Sequence, residues 1–382
     1  MNSTYDTDVL VVGAGPTGLT LAASLIKRGI ATTIVDAQAT AAHTSRAAAV
    51  NARTLEVLEG LDVTRRLVKE GVHAPRFTIR DRSRVLMNLD FSGLTTDYPY
   101  TLLIPQNVTE TLLNDRLLEL GGSVVRAKSL TSVVQDDDGV TARFDDGDVV
   151  RARYVVGADG IHSSVREQAG IGFHGGAYGE SFILADVHLD GEKPIEEVVL
   201  FWATAGLTVV APLPDGSYRI VAPVVDAPEE PSAAFVQQVL DERGPGAGRI
   251  VVTDVVWSSR FRIHHRVADT YRAGRLLIAG DAAHVHSPAG GQGMNLGIQD
   301  AVVLADALAT VLAGGPDTTL DEYSAARRPI ASGVVSLTDR LTRLATLPRG
   351  LRPIRNAAIG MAGRVPAVRQ ALAMRLSGLV YR

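Results

Sequence analysis

The sequence predicts an α/β protein in which a sheet built from a βαβ unit is interrupted by a second, antiparallel sheet and followed by helices. Three observations predict it. An apolar strand, a glycine turn, a helix and a second apolar strand closing on Asp36 fill residues 8–36, which is a βαβ unit. Two regions, 76–104 and 172–262, alternate polar and apolar residues with the period of two expected of a sheet wet on one face. Two more apolar strands run into glycine–aspartate turns, at Asp159-Gly160 and Gly280-Asp281.

Taken in order, Asp8–Val12 reads as the first strand, Gly18–Arg28 as the first helix and Thr32–Val35 as the second strand. A helix-like stretch covers Ala47–Glu70, and another runs from Asn107 to a glycine stop at Gly121. Between 131 and 160 the turns Asp138-Gly139 and Asp146-Gly147 separate three strands, an antiparallel meander inserted before the chain returns to the first sheet. Helices from Gly297 to Leu312 and from Leu320 onward finish the chain. The expected division is therefore discontinuous: 1–75, 105–171 and 263–340 form the dinucleotide-binding domain, 76–104 and 172–262 a substrate-binding β-sheet domain, and 341–382 a helical segment. That last segment has eight arginines and no acidic residue among Leu, Ile, Met and Val; it reads as an amphipathic helix packed on the first domain, or as a contact for a membrane surface or a partner.

Composition narrows the function. At 382 residues and 46% hydrophobic, the chain can bury a full core and divide into two domains. A net charge of −4 gives no basic field, which argues against nucleic acid and for a small-molecule partner. The absence of cysteine excludes disulfides, thiolate metal sites and thiol nucleophiles. With no basic n-region at the N-terminus and no apolar run of membrane-spanning length, the expectation is a cytoplasmic protein without a membrane span. No metal is expected: His264 and His265 are adjacent and would point to opposite faces of a strand, and His284 and His286 suit a structural role.

Three glycine-rich sites carry the chemistry. Gly13-Ala14-Gly15-Pro16-Thr17-Gly18 lies between strand and helix with Asp36 ending the next strand, the arrangement that lets a pyrophosphate approach a helix N-terminus and an acid accept from ribose hydroxyls. "YVVGADGIHSSVR", residues 154–166, is a strand running into a turn at Asp159-Gly160, with Ser163 or Ser164 placed to cap a helix. "LLIAGDAAHVHSPAGGQGMNLGIQDA", residues 276–301, puts Asp281 after an apolar strand and a glycine loop from Pro288 to Gly293 before a helix carrying Asn295.

In this order the three motifs resemble the single-component FAD-dependent aromatic hydroxylases, the group of para-hydroxybenzoate hydroxylase, phenol hydroxylase and the hydroxylases of aromatic polyketide pathways. The resemblance runs from Asp8 to about Arg328, and "YRAGRLLIAGDAAHVHSPAGGQGMNLGIQDA" is especially similar to the polyketide hydroxylases. It implies a Rossmann-like FAD domain of the glutathione-reductase type. It implies FAD contacts at Gly13, Gly15, Gly18, Asp36, Asp159 and Gly160, a ribityl contact at Asp281, and a flavin loop of Pro288, Gly290, Gly291, Gly293, Met294 and Asn295 whose helix end faces N1 and C2=O of the ring. Arg46 in "TSRAAAVNARTLEVLEGL" matches an arginine beside the cofactor, and Gln106 in "IPQNVTETLL" a glutamine contacting FAD. Arg46, Pro288 and Gly291 are the catalytic candidates.

The implied reaction takes electrons from NADPH or NADH, adds O2 at flavin C4a, and passes one oxygen from the hydroperoxide to an aromatic substrate, here a polycyclic phenol or polyketide. Baeyer–Villiger or epoxidising chemistry, antibiotic inactivation, and a reductase or non-catalytic flavin protein are the alternatives. The thioredoxin-like C-terminal domain of phenol hydroxylase and many polyketide hydroxylases has no counterpart in this sequence, which leaves the oligomeric state open.

Overall fold

The computed structural model describes residues 5–41, 47–287 and 290–381, and within 178–180 the backbone alone. A central parallel sheet carries Thr7–Val12 between Val149–Gly157 on one side and Thr32–Val35 on the other, with Leu276–Ile278 beyond the first and Val124–Val125 beyond the second. The meander appears as expected: Leu130–Gln135 pairs antiparallel with Val140–Phe144, which pairs antiparallel with Val149–Gly157. The sheet is buried on both faces, so its strands are near-continuous apolar runs, and Val9, Leu10, Val11, Val155 and Val156 have no exposed surface.

The first helix spans Pro16–Lys27, two residues ahead of the expected start, because proline at its first position is already set to the helical φ. The stretch 47–70 is not one helix. Ala49–Val50 is a strand; Asn51 caps a helix at Ala52–Glu59 by accepting from the Thr54 amide at 2.9 Å, and a second helix follows at Thr64–Glu70. Gly60 and Asp62, the latter at φ +61°, make the break.

The second sheet has eight strands. It contains Phe173–Gly191 and Ile250–Ala268, each 19 residues long, and its one parallel pair joins Glu197–Ala203 to Arg76–Asp81. Thr101–Leu103 departs from expectation and pairs instead with Ala49–Val50 and Val72–Ala74 in a separate three-stranded sheet. One face of the large sheet packs on the helix Ala233–Arg243 through Ala185, Val199, Phe201, Val210 and Ile220. The opposite face, with Val198, Trp202, Leu207 and Ala211, packs on the C-terminal helices. The arginine-rich segment therefore lies chiefly on the large antiparallel sheet rather than on the first domain: in the helices Arg352–Ala362 and Pro366–Leu376, Ile359 and Ala373 pack beside Phe77, Met87 and Leu89.

The helix Gly293–Leu312 is long and apolar enough to cross a membrane, but it is a core helix; Leu296, Ile298, Ala301, Leu304 and Leu308 are buried against the first domain.

Candidate functional site

Three glycine turns meet because three adjacent parallel strands end at one level. Val12 is in register with Gly157, and Gly157 with Ile278, so residues 13, 158 and 279 leave the sheet side by side. The ladder continues into the turns through Ala158 N to Val12 O at 2.7 Å, Ala279 N to Gly157 O at 3.0 Å and Gly13 N to Val35 O at 2.8 Å. Ligands of open α/β sheets bind at this end, outside the carboxyl ends of the strands.

The first turn is built by close approach. Gly13 sits at φ +103°, and a Cβ there would lie 2.3 Å from the Ala158 carbonyl oxygen; one on Gly18 would lie 1.9 Å from the Gly13 carbonyl oxygen. Both glycines are required by the packing of the turns on each other. Gly15 and Gly160 differ, since nothing lies within 4 Å of a Cβ built on either, and their open sides let a ligand reach the backbone. Asp36 accepts from the Ala14 amide at 2.6 Å through Oδ2 and from the Gln38 amide at 2.8 Å through Oδ1, with Arg126 at 3.6 Å. Asp159 accepts from the Val165 amide at 3.3 Å through Oδ2, while its Oδ1 is buried without a partner. Burial pushes this carboxyl above the usual carboxylate range. Open glycine backbones, a helix N-terminus and an acceptor lacking its donor fit the hydroxyls and diphosphate of a dinucleotide.

The third turn is clamped to the first and second. Gly280 is at φ +62° over the Thr17 hydroxyl, and Asp281 stands exposed in the short helix Gly280–Ala282. Arg166, only 5% exposed, donates to the carbonyls of Ala282 at 3.1 Å and Ile161 at 2.9 Å and lies 4.0 Å over the Phe173 ring. Behind the turn His284 meets one oxygen of Asp300 at 2.6 Å, and Arg327 donates to the other at 2.6 Å. Burial would raise the Asp300 carboxyl, but Arg327 and His284 hold it below its usual range. His286 has Nδ1 2.9 Å from the Ser287 carbonyl and Nε2 buried without a partner, and burial pushes its pKa down to about 4.

Arg46 and Pro288 lie outside the described residues. Of the other loop candidates, Gly290 and Gly291 have positive φ, Gly293 opens the long helix, and Met294 packs at the edge of the core. Asn295 is fully buried; its amide donates to the carbonyls of Ala49 at 2.8 Å and Gly291 at 2.7 Å, and its oxygen accepts from the Asn51 amide at 2.8 Å. It shapes the loop from behind. Gln106 accepts from the Ala47 amide at 3.2 Å, and Arg219, paired bidentately with Asp186 at 2.8 and 2.7 Å, donates to the Ala47 carbonyl at 2.9 Å. Sequence reasoning gave no role to Arg166 or Gln292; each has a partner more than 80 residues away, Ala282 and Leu376, which no local spacing reveals.

The register of the large sheet fixes the side chains that alternation alone left open. Arg219 lies opposite Asp186, while Tyr218 joins the cluster under Ala233–Arg243. Phe91 packs edge-on to Phe77, Phe201 packs under the same helix as Tyr218, and Trp202 lies beneath Arg355 at 5.0 Å, so these aromatics are core. Arg80 pairs with Glu197 at 2.8 Å. Among the described residues no cluster of three His, Asp or Glu side chains could hold a metal ion.

A profile of the family described as "FAD binding domain" matches residues 6–338. The chain is 35% identical to a rifampicin monooxygenase of Streptomyces venezuelae over 91% of its own length and 74% of that protein's. It is 36% identical to a 6-methylpretetramide 4-monooxygenase of Streptomyces rimosus over 91% of its length and 63% of that protein's, so it spans less than two thirds of this relative. Among solved structures it superposes on a p-nitrophenol 4-monooxygenase of Pseudomonas putida with a TM-score of 0.85 and 27% identity, over 97% of both chains.

Proposed function

The chain belongs to the FAD-dependent aromatic hydroxylases, and from that membership we propose that it uses NAD(P)H and O2 to insert one oxygen atom into a polycyclic phenolic or polyketide substrate. The observation that carries this reading is the convergence of the turns at Gly13–Gly18, Asp159–Gly160 and Gly280–Asp281 at one end of three adjacent parallel strands.

Asp36 accepts from the adenosine ribose, the open backbones of Gly15 and Gly160 take the close approach of the diphosphate, and Asp159 uses its unpartnered oxygen for a donor of the cofactor. Asp281 holds the ribityl chain. The helix end at Gly293, behind Gly290 and Gly291, would lend its positive pole to a flavin held there and so stabilise negative charge on it. Arg46 and Pro288, outside the described residues, are assigned a catalytic role on the family resemblance alone, and Gln106 steadies the chain next to Arg46 through Ala47. When bound, the flavin supplies two-electron reduction by the nicotinamide and activation of dioxygen. The protein's own tasks are to exclude water from that site and hold the substrate carbon in line. Residues 1–75, 105–171 and 263–340 serve the cofactor, and 76–104 with 172–262 the substrate.

The substrate class rests on the relatives named for rifampicin and 6-methylpretetramide. A single-ring phenol is the second reading, favoured by the p-nitrophenol 4-monooxygenase that matches over 97% of both chains. The test is NAD(P)H oxidation by FAD-loaded protein in air with polycyclic and single-ring phenols, each product weighed by mass spectrometry. Stimulated oxidation with a gain of one oxygen establishes the reaction and its substrate class. Oxidation that no phenol stimulates, with peroxide as its product, overturns the reading.

A further inference from the structure

Gln292 joins three distant parts of the chain at the flavin loop. Its amide nitrogen donates to the Gly290 carbonyl at 2.8 Å and to the Leu376 carbonyl at 3.1 Å, and its oxygen accepts from the Asn51 side-chain nitrogen, Nδ2, at 3.4 Å. The side chain is 5% exposed, and it occupies the N-cap position of the helix Gly293–Leu312 without bonding that helix's own amides. A capping residue normally spends its polar atoms on the helix it starts; this one spends them on the loop before the helix and on the C-terminal helix Pro366–Leu376.

The C-terminal turn meets the same place by three further contacts. A Cβ on Gly290 would lie 3.1 Å from Leu376 Cδ2, so the leucine packs directly over the loop. The Arg53 amide donates to the Ser377 carbonyl at 3.0 Å. Gly378, at φ +74°, sits with its α-carbon face against Asn51, where a Cβ would be 3.0 Å from the amide nitrogen. Leu379 is buried beyond it.

We infer that residues 373–379 form a strap across the flavin loop and that Gln292 is its buckle, a positioning residue that sets the loop carrying Gly290, Gly291 and the helix N-terminus against the cofactor. The inference rests on the proposed FAD site. It gives the arginine-rich C-terminal segment a task that its composition does not suggest: Leu376 and Ser377 act through backbone carbonyls, which any sequence could supply, and the specificity lies in Gln292. Because coupling between two sites is reciprocal, FAD bound at the loop must also steady the strap.

The experiment compares the full chain with Gln292→Ala and Leu376→Ala, the latter keeping the Leu376 carbonyl while removing the packing over Gly290. Three quantities are read: the FAD dissociation constant, the reduction potential of the bound flavin, and amide hydrogen exchange in 373–379 with and without FAD. Without the hydrogen bonds that hold the loop, Gln292→Ala binds FAD about tenfold more weakly. With the helix end no longer held to the ring, the reduced form loses a further advantage of up to about tenfold over the oxidised one, a fall in potential of about 30 mV for a two-electron couple. Leu376→Ala shows the same changes in smaller measure. In the unsubstituted chain FAD slows exchange in 373–379, and Gln292→Ala abolishes that protection.

A purely structural role lowers thermal stability while leaving the potential and the FAD-dependent protection intact, and that result overturns the inference. If the unsubstituted chain itself takes up no FAD, the proposed function falls and the strap with it. If it binds FAD without any change in exchange at 373–379, the strap alone falls. Should Gln292→Ala not fold, Leu376→Ala with unchanged potential and protection is the overturning result.

Discussion

The guanidinium of Arg166 donates to the carbonyl of Ala282 across 3.1 Å, so the second glycine turn holds the third. Among the described residues no carboxylate pairs closely with this buried cation; Glu167 is 3.9 Å away and largely exposed, and burial lowers the arginine's pKa. Its stabilisation comes from two carbonyls and the face of Phe173. Arg166→Met keeps the apolar stem but leaves the carbonyls of Ala282 and Ile161 without this donor. The expected cost is about 2–3 kcal/mol in a urea melt, with weaker retention of FAD because Asp281 is one residue from the released carbonyl. A variant with unchanged midpoint and unchanged FAD affinity would detach Arg166 from the site.

Asp300 is a second such joint, between the third turn and the helix Thr319–Ala345. Asp300→Asn retains the shape and removes the charge facing Arg327, which is 4% exposed. Breaking one member of a buried ion cluster costs about 3–5 kcal/mol, and that loss is expected by chemical denaturation at neutral pH. Because the folded carboxyl titrates below its usual range, its contribution is present above that range and is lost as pH falls from there through the lower folded value. The asparagine variant therefore differs most from the parent at neutral pH and least in strong acid.

His286 supplies an acid sensitivity that starts at higher pH. Burial lowers its pKa from 6.5 to about 4, so between those values the unfolded chain holds a proton that the folded chain does not. Stability is then complete above about pH 6.5, declines as pH falls toward 4, and is not reduced further by this group below that, the total being at most about 3 kcal/mol. His286→Phe should flatten the unfolding free energy measured from pH 7 to pH 4.5. Parallel slopes for parent and variant would exclude His286 as the source.

The parallel sheet and its turns were legible because the fingerprint is local: Gly13, Gly15, Gly18 and Asp36 lie within one βαβ unit whose apolar runs have no competing period. The joints between units were not. Arg166 to Ala282, Arg219 to Ala47 and Gln292 to Leu376 span 116, 172 and 84 positions, and an arginine or glutamine in sequence looks the same whether its partner is water or a buried carbonyl. Strand position alone is equally silent about the aromatic residues of the large sheet. Phe201 and Trp202 are neighbours on a strand, so they point to opposite faces, and here both faces are covered by helices and neither ring is left for a ligand.

Gly297 shows how one glycine can be read two ways. In sequence it suggests a helix start, whereas the helix begins at Gly293 and Gly297 lies one turn inside it. A Cβ there would come 2.3 Å from Thr17 Oγ1 and 3.2 Å from the Gly280 α-carbon, and a Cβ on Gly280 would come 2.5 Å from the same hydroxyl. Thr17 thus fills the space that both glycines leave, and the first and third turns pack through it. Gly297→Ala gains about 1 kcal/mol of helix propensity but must displace a β-branched side chain with few rotamers open to it, for an expected net loss of about 1–3 kcal/mol. Thr17→Ala removes the obstructing hydroxyl, so the double variant should be more stable than the sum of the single changes predicts, by about 1 kcal/mol in a thermodynamic cycle. Rescue is incomplete, because the Gly280 α-carbon still stands 3.2 Å from the added methyl. Strict additivity would mean that the two turns reach their positions independently, and that this end of the sheet, the proposed FAD site, is not assembled through Thr17.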